Sequence, residues 1–355
     1  MTIPRFELTA SDPLVRGREL GSAARTQVQA TWEGYERLFA AAGADVALRR
    51  SVAERGLEQT HAWAPELAGE IAGIALGAGL ETWQVAALNA RTELLAAARA
   101  RTAGECSTFV VVPREGGPPR TIQTWDWYDH LRHGIVALRL EPRPGHVVEL
   151  FSEFGVVGKI GVNSAGLGLH FNILGHDRDG GETGVPVHVI ARRILDLATT
   201  VEEATTIARS ARVSASTVLT VVAWDGERAG ARGLELSPAG VAELEPDGDG
   251  VLLHTNHFLD ARLAAGERMG RVDSTTYPRL AELRGRSARL VAAADEGERA
   301  AALLDHDGGP GLCCHPAADA PFDERWETLA TISLDLAGGR LRLHEGGPCA
   351  VAAWA

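Results

Sequence analysis

Gly104-Glu105-Cys106-Ser107-Thr108-Phe109 is the stretch on which the reading of this chain turns. Ahead of it, apolar residues recur at helical spacing. Directly behind Cys106 they give way to Thr108-Phe109-Val110-Val111-Val112, a β-branched and aromatic run closed by Pro113. A cysteine at the head of a sheet region suggests a nucleophile that becomes an N-terminus once the chain cuts itself. The Cys106 thiol would attack the Glu105 carbonyl, and water would then release a chain beginning at Cys106. The freed α-amine, with a reference pKa of ~7.7–8.0, accepts the thiol proton near neutral pH. The competing reading is a buried cysteine acting as a small hydrophobe.

Working outward, Gly116-Gly117-Pro118-Pro119 is a turn, and Thr121-Ile122-Gln123-Thr124-Trp125 returns as a second strand. That hairpin brings Asp126 back toward Cys106. Asp126 lies between Trp125 and Trp127, a partly apolar setting in which a carboxylate could orient the nucleophile's proton; otherwise it starts a turn beside packed aromatics. Trp127 and Tyr128 are candidates either to line a pocket or simply to pack. A third stretch, Leu253-His254-Thr255-Asn256-His257-Phe258, ends an apolar strand. The Asn256 amide suits an oxyanion donor, or else caps its own backbone. His254 and His257 lack companion ligands at a metal-binding spacing, so no metal is expected there.

Helices are predicted from Pro13 to about residue 100, with Pro65 in a first helical turn and Thr82 as an N-cap. Beyond the hairpin, strands are predicted over 134–140, 147–151, 159–162 and 167–173, with Asn163-Ser164-Ala165-Gly166 as a turn. Helices follow over 185–197 and 201–209, the latter capped by Thr200. Strands over 216–223, 234–237 and 251–255, helices over 275–294 and 296–305, and strands over 328–336 and 340–344 complete the chain. Blocks of strands and helices, rather than strict alternation, indicate an α+β fold of antiparallel sheets covered by helices.

Composition narrows the function. In 355 residues, 45% apolar content supports a substantial core, and a net charge of −12 argues against a general nucleic-acid binder. No secretory signal or membrane-spanning segment is expected. Cys106, Cys313, Cys314 and Cys349 show neither metal-ligand spacing nor the density of a disulfide scaffold, which makes a reducing cytoplasm the default. Gly158-Lys159 and Gly166-Leu167-Gly168 fall short of phosphate-loop and dinucleotide motifs, and there is no Gly-x-Ser-x-Gly elbow.

Taken together, these stretches resemble the acyl-coenzyme A:6-aminopenicillanic acid acyltransferase (isopenicillin N acyltransferase) family of self-cleaving N-terminal nucleophile hydrolases. Arg16-Gly17-Arg18-Glu19-Leu20-Gly21 is similar to the family's early helix, and Glu105-Cys106-Ser107-Thr108 to its cleavage site. Gln123-Thr124-Trp125-Asp126-Trp127 matches a Gln-Asn-Trp-Asp segment, and residues 158–166 a family hairpin. Thr183-Gly184-Val185-Pro186 matches the following helix start, and His254-Thr255-Asn256-His257 a later active-site strand. The resemblance implies a four-layered αββα sandwich preceded by a helical segment over residues 1–105, which is released by cleavage between Glu105 and Cys106 yet stays packed on the 106–355 region.

It further implies Cys106 as nucleophile, Asp126 as the residue assisting processing and holding the nucleophile's surroundings, and Asn256 as part of an oxyanion hole. Three positions depart from the pattern: Glu105 stands in place of Gly, Thr124 in place of Asn, and His315 where an active-site Arg follows the cysteine. The expected activity is a cysteine-dependent acyltransferase or amidohydrolase. It would take an acyl group from a small amide or acyl thioester and pass it to an amine or water. No cofactor is expected, acyl-coenzyme A entering only as a possible substrate, and the expected partners are that small molecule and the chain's own N-terminal fragment. A strict amide hydrolase of the same fold and an unprocessed, inactive binding protein are the rival readings.

Overall fold

The computed structural model describes residues 3–99, 106–271, 275–306, 309 and 311–351. The first part of the chain contains β1 (Arg5–Leu8), α1 (Pro13–Ala23), α2 (Arg25–Ala41), α3 (Val46–Trp63), α4 (Pro65–Ala78), α5 (Thr82–Asn89) and α6 (Arg91–Ala97). The sheet region opens with β2 (Ser107–Val111), β3 (Arg120–Tyr128), β4 (Ile135–Arg143), β5 (His146–Glu153), β6 (Ile160–Asn163) and β7 (Leu167–Ile173). Then come α7 (Val187–Leu197), α8 (Val201–Ser210), β8 (Thr217–Trp224), β9 (Ala229–Ser237), β10 (Gly240–Leu244) and β11 (Val251–His254). The chain closes with α9 (Thr276–Ala292), α10 (Glu296–Ala302), β12 (Trp326–Asp335) and β13 (Arg340–Glu345).

Local chemistry accounts for several boundaries. Asp12 caps α1 by accepting the Val15 N–H at 2.9 Å, with Pro13 in the first turn, and Thr200 caps α8 through the Glu203 N–H at 3.1 Å. The cap of α5 is Glu81 rather than the expected Thr82. Gln84 Oε1 accepts the Glu81 N–H at 2.8 Å, and the Glu81 side chain accepts the backbone N–H of Gln84, the third residue of the helix, which moves the start by one position. Two strands are absent from the sequence reading. β1 is too short to show periodicity, and β10 follows Gly240 with no clear alternation. The segment ahead of Cys106 is therefore mostly helical, but its first strand joins a sheet, pairing in parallel with β4 from Arg5↔Ala137 to Leu8↔Leu140.

The strands form two sheets. One has eight strands in the order β1-β4-β5-β6-β7-β8-β9-β10, antiparallel apart from the β1–β4 pair; the other has five in the order β11-β2-β3-β12-β13, antiparallel throughout. The sheets pack face to face, with β7 against β2, β6 against β12 and β5 against β13. α7 and α8 cover the outer face of the larger sheet; α9 and α10 cover the smaller. This is the expected αββα layering. Strand burial agrees: β2, β6 and β7 are buried along their whole length, as strands covered on both faces must be.

The N-terminal helices belong to the same core. Tyr35, Leu88, Cys106, Trp125 and Ile332 share one continuous apolar cluster. α1 and α4 approach so closely that a Cβ on Gly17 would lie 2.1 Å from the Glu70 carbonyl oxygen, which requires glycine there. Between these helices Glu70 is buried, receiving Arg16 at 2.6 Å and Arg192 of α7 at 2.8 Å. Burial pushes its carboxyl up, but Arg192 and Arg16 hold it below its ordinary value. Among the described residues no helix is long and apolar enough to cross a membrane.

Candidate active site at the head of the five-stranded sheet

Pairing of β2 with β3 places Ser107 opposite Thr124, so Cys106 at the head of β2 faces the Trp125–Asp126 end of β3. The two residues meet as the hairpin predicts, with the Asp126 backbone N–H against the Cys106 sulfur. Cys106 is 2% exposed and Asp126 fully buried. Burial, followed by the Asp126 charge, pushes the Cys106 thiol up to about 12, against the Asp126 N–H, Arg279 and Lys159, which favour the thiolate. In a continuous chain the thiol is therefore protonated at neutral pH. Glu105, the other half of the expected cleavage site, lies outside the described residues.

The Cys106 carbonyl oxygen is clamped from both layers. Arg279 Nη1 of α9 donates to it at 2.8 Å, and Asn172 Nδ2 of β7 at 3.1 Å. Arg279 Nη1 also reaches Ser107 Oγ at 2.9 Å, while its Nη2 donates to Asn256 Oδ1 at 2.9 Å. Asn256 lies two residues beyond β11. Its backbone N–H donates to Thr276 Oγ1 at 2.8 Å, and one side-chain N–H donates to the Ile173 carbonyl at 2.8 Å. Asn172 Oδ1 accepts Thr108 Oγ1 at 2.8 Å and Gln123 Nε2 at 3.1 Å. Gln123 Oε1 meets His170 Nδ1 at 3.0 Å, and burial takes His170 down to about 3, so its ring is neutral.

A second buried cluster lies behind β3. Lys159 pairs with Glu153 and sits 3.9 Å from the Trp125 ring centre, and Arg91 of α6 is 3.1 Å from Glu153. Tyr35 of α2 bonds both Glu153 and Arg91. Burial and Arg91 push Lys159 down to about 7, against the pull of Glu153. Lys159 and Cys106 each influence the other's ionisation, so this cluster adjoins the sulfur. Two of its members, Tyr35 and Arg91, come from the segment ahead of the expected cut.

The structure thus brings Cys106, Asp126 and Asn256 together, Asp126 through its backbone N–H and Asn256 through Arg279. Arg279, Asn172 and Lys159 were missed. Arg279 looks like an ordinary helix charge and Asn172 like one polar residue in a strand; only their complete burial distinguishes them. Trp127 and Tyr128 are packed, at 1% and 4% exposure, with Arg91 stacked 4.4 Å from the Trp127 ring. His254 is held by Glu235 at 2.9 Å and His257 lies 4.2 Å from the Tyr277 ring, each taken up by its own neighbour. His315, at the position where the resemblance sets an Arg, faces Cys313, Cys349 and His306. The cysteine spacing gave no sign of this convergence.

Three matches to known proteins bear on the family. Residues 114–350 match the family described as acyl-coenzyme A:6-aminopenicillanic acid acyl-transferase, a span that contains Asp126 and Asn256 and begins past Cys106. The 40 kDa form of acyl-coenzyme A:6-aminopenicillanic-acid-acyltransferase from Emericella nidulans is 29% identical over 299 residues, covering 83% of this chain and 79% of the relative. Penicillin V acylase from Agrobacterium tumefaciens aligns with a TM-score of 0.45 and 17% identity, covering 68% of this chain and 83% of that one.

Proposed function

This chain belongs to the acyl-coenzyme A:6-aminopenicillanic acid acyl-transferase family, and on that footing we propose that it is a self-processing enzyme that carries acyl groups on Cys106. The observation that carries the reading is the double clamp of Arg279 and Asn172 on the Cys106 carbonyl oxygen. It holds the nucleophile's own main chain still while the bond on its N-terminal side changes.

Processing begins with Cys106 Sγ attacking the Glu105 carbonyl carbon. The thiol proton passes to the departing Cys106 nitrogen, and a thioester replaces the peptide bond. One water then hydrolyses that thioester, leaving the Glu105 carboxylate, a free thiol and the Cys106 α-amine. For the later attack on substrate, a thiol at about 12 needs a base. Cleavage supplies one with a reference pKa of ~7.7–8.0 on the same residue.

In turnover the Cys106 sulfur attacks the carbonyl of an amide or acyl thioester, and the leaving amine or thiol takes up the proton. The second N–H of Asn256, beyond the one given to Ile173, is the donor assigned to the developing oxyanion. Asp126 holds the sulfur through its backbone N–H and raises the cost of a free thiolate. An amine or water then takes the acyl group. The substrate is a small molecule with an acyl group in amide or thioester linkage, of the kind that the Emericella nidulans relative is named for.

Intact-mass measurement tests the proposal. Chains of 105 and 250 residues, the latter being 355 − 105, are expected from the wild type. A single uncut chain is expected from Cys106→Ala. Labelled amine supplied with an acyl thioester should then yield acyl-amine. An uncut wild-type chain that forms no acyl adduct would overturn the reading.

A further inference from the structure

Apart from the Cys106 site, the chain brings two thiols and two imidazoles to a single point. His306 Nε2, Cys313 Sγ, His315 Nε2 and Cys349 Sγ all lie within 4.8 Å of one another. The separations are 3.1 Å for His306–Cys313, 3.6 Å for Cys313–His315, 3.2 Å for His306–His315 and 3.3 Å for His315–Cys349. A tetrahedral zinc ion with Zn–S of about 2.3 Å and Zn–N of about 2.0–2.1 Å requires S···N edges of about 3.5 Å and an N···N edge of about 3.3 Å. The three S···N separations and the N···N separation given above match those edges to within a few tenths of an ångström. Two imidazole nitrogens pointing at each other and at two sulfurs are natural ligands for one soft-to-borderline cation.

The surroundings hold the ligands in place. The Asp305 carboxylate accepts the backbone N–H groups of Gly311, Leu312 and Cys313 at 2.8, 2.6 and 2.8 Å, which fixes Cys313 beside His306. Glu327 Oε1 lies 3.9 Å from His315 Nδ1, on the far side of the ring from the cluster, and is itself paired with Arg132. A carboxylate behind a ligating histidine is the usual outer support of such a ring. Cys314 is tied to β12 in both directions: its N–H meets Thr328 Oγ1 at 2.8 Å, and its carbonyl accepts the Thr328 N–H at 3.0 Å. Thr328 is the register partner of Asp126.

We propose that His306, Cys313, His315 and Cys349 form a structural Zn2+ site. Four protein ligands close the coordination sphere, so the ion fastens the chain's last described stretch to the loop beside β12, one strand from Asp126. The proposal rests on none of the chemistry assigned to Cys106, and its failure would leave that reading untouched.

The full-length protein is stripped with a chelator under reducing conditions, desalted and titrated with Zn2+ and, separately, with Co2+. One metal ion per chain is expected. Zn2+ should raise the thermal midpoint increasingly with its free concentration, and Co2+ should give the intense visible bands and thiolate charge-transfer absorption of a tetrahedral sulfur-ligated ion. Cys349→Ser and His315→Ala replace exposed side chains, so the fold should survive. Each should weaken Zn2+ binding at least tenfold, and Cys313→Ser combined with Cys349→Ser should abolish the charge-transfer band. Three results would each overturn the site: substoichiometric metal lost on desalting, binding unchanged in the double variant, or a Cys313–Cys349 disulfide in protein alkylated at lysis.

Discussion

Arg279 Nη1 donates to the Cys106 carbonyl oxygen at 2.8 Å while Nη2 of the same guanidinium holds Asn256 Oδ1 at 2.9 Å. One fully buried side chain on α9 thereby joins the nucleophile's backbone to the proposed oxyanion donor. The planar fork makes this possible, since two nitrogens of fixed separation grip two acceptors on different segments, one just ahead of β2 and one just past β11.

Arg279→Lys keeps the charge but cannot span both acceptors. Loss of that alignment should lower kcat/KM about 10²-fold, the scale set by small misplacements of reacting groups. It should also slow appearance of the cleaved chains. Wild-type rates of both would show that the bridge is only structural.

Asn256→Ala removes the carboxamide and leaves Arg279 without that acceptor. A fall of about 10²–10³ in kcat is expected on processed enzyme, the usual effect of deleting one oxyanion donor. Steady-state kinetics at saturating acyl thioester measure it. A change confined to KM would reassign Asn256 to substrate binding.

Cys106 should change reactivity on cleavage. In the continuous chain its thiol stands at about 12 and is almost wholly protonated at pH 8. With the α-amine adjacent, the thiolate becomes accessible near neutrality, so iodoacetamide should label the C-terminal fragment at least about 10²-fold faster than uncut chain. Mass spectrometry of a partly processed sample follows both at once. Equal rates would contradict the role given to the amine.

Arg91 and Tyr35 carry the N-terminal segment into the cluster around Glu153. Arg91→Met removes one charge from a fully buried group and should destabilise the protein by about 3–5 kcal/mol. In cleaved protein it should also loosen the 105-residue piece, which is expected to co-elute with the remainder on gel filtration of the wild type. Denaturant midpoints and fragment retention provide the check.

Glu93 confers a specific pH dependence on stability. Its carboxylate accepts the Val187 N–H at 2.9 Å at the start of α7, yet burial raises it from 4.5 to about 7. The native state therefore keeps a proton that the unfolded chain releases between those values. Its contribution is full below pH 4.5, declines through the window and is gone above about 7, a total of about 3 kcal/mol. Glu93→Gln should flatten urea midpoints over that range; an unchanged slope would assign it to other groups.

The sequence by itself determined the order of elements around Cys106, the β2–β3 hairpin and the presence of Asp126 beside the sulfur. Those features depend on short-range periodicity and turn chemistry, which neighbouring residues encode. The large sheet's β1 edge, joined to β4 across about 130 residues, was not legible, because a four-residue strand carries no period of its own. Nor were Arg279 and Asn172, or the gathering of His306, Cys313, His315 and Cys349. An arginine on a helix or a cysteine in a loop has the same local signature whether it faces water or a partner far along the chain. Packing of the two sheets and their covering helices removes the water from Arg279 and Asn172 and makes them a clamp, whereas His306, Cys313, His315 and Cys349 meet because the tertiary fold brings distant loops together near the surface.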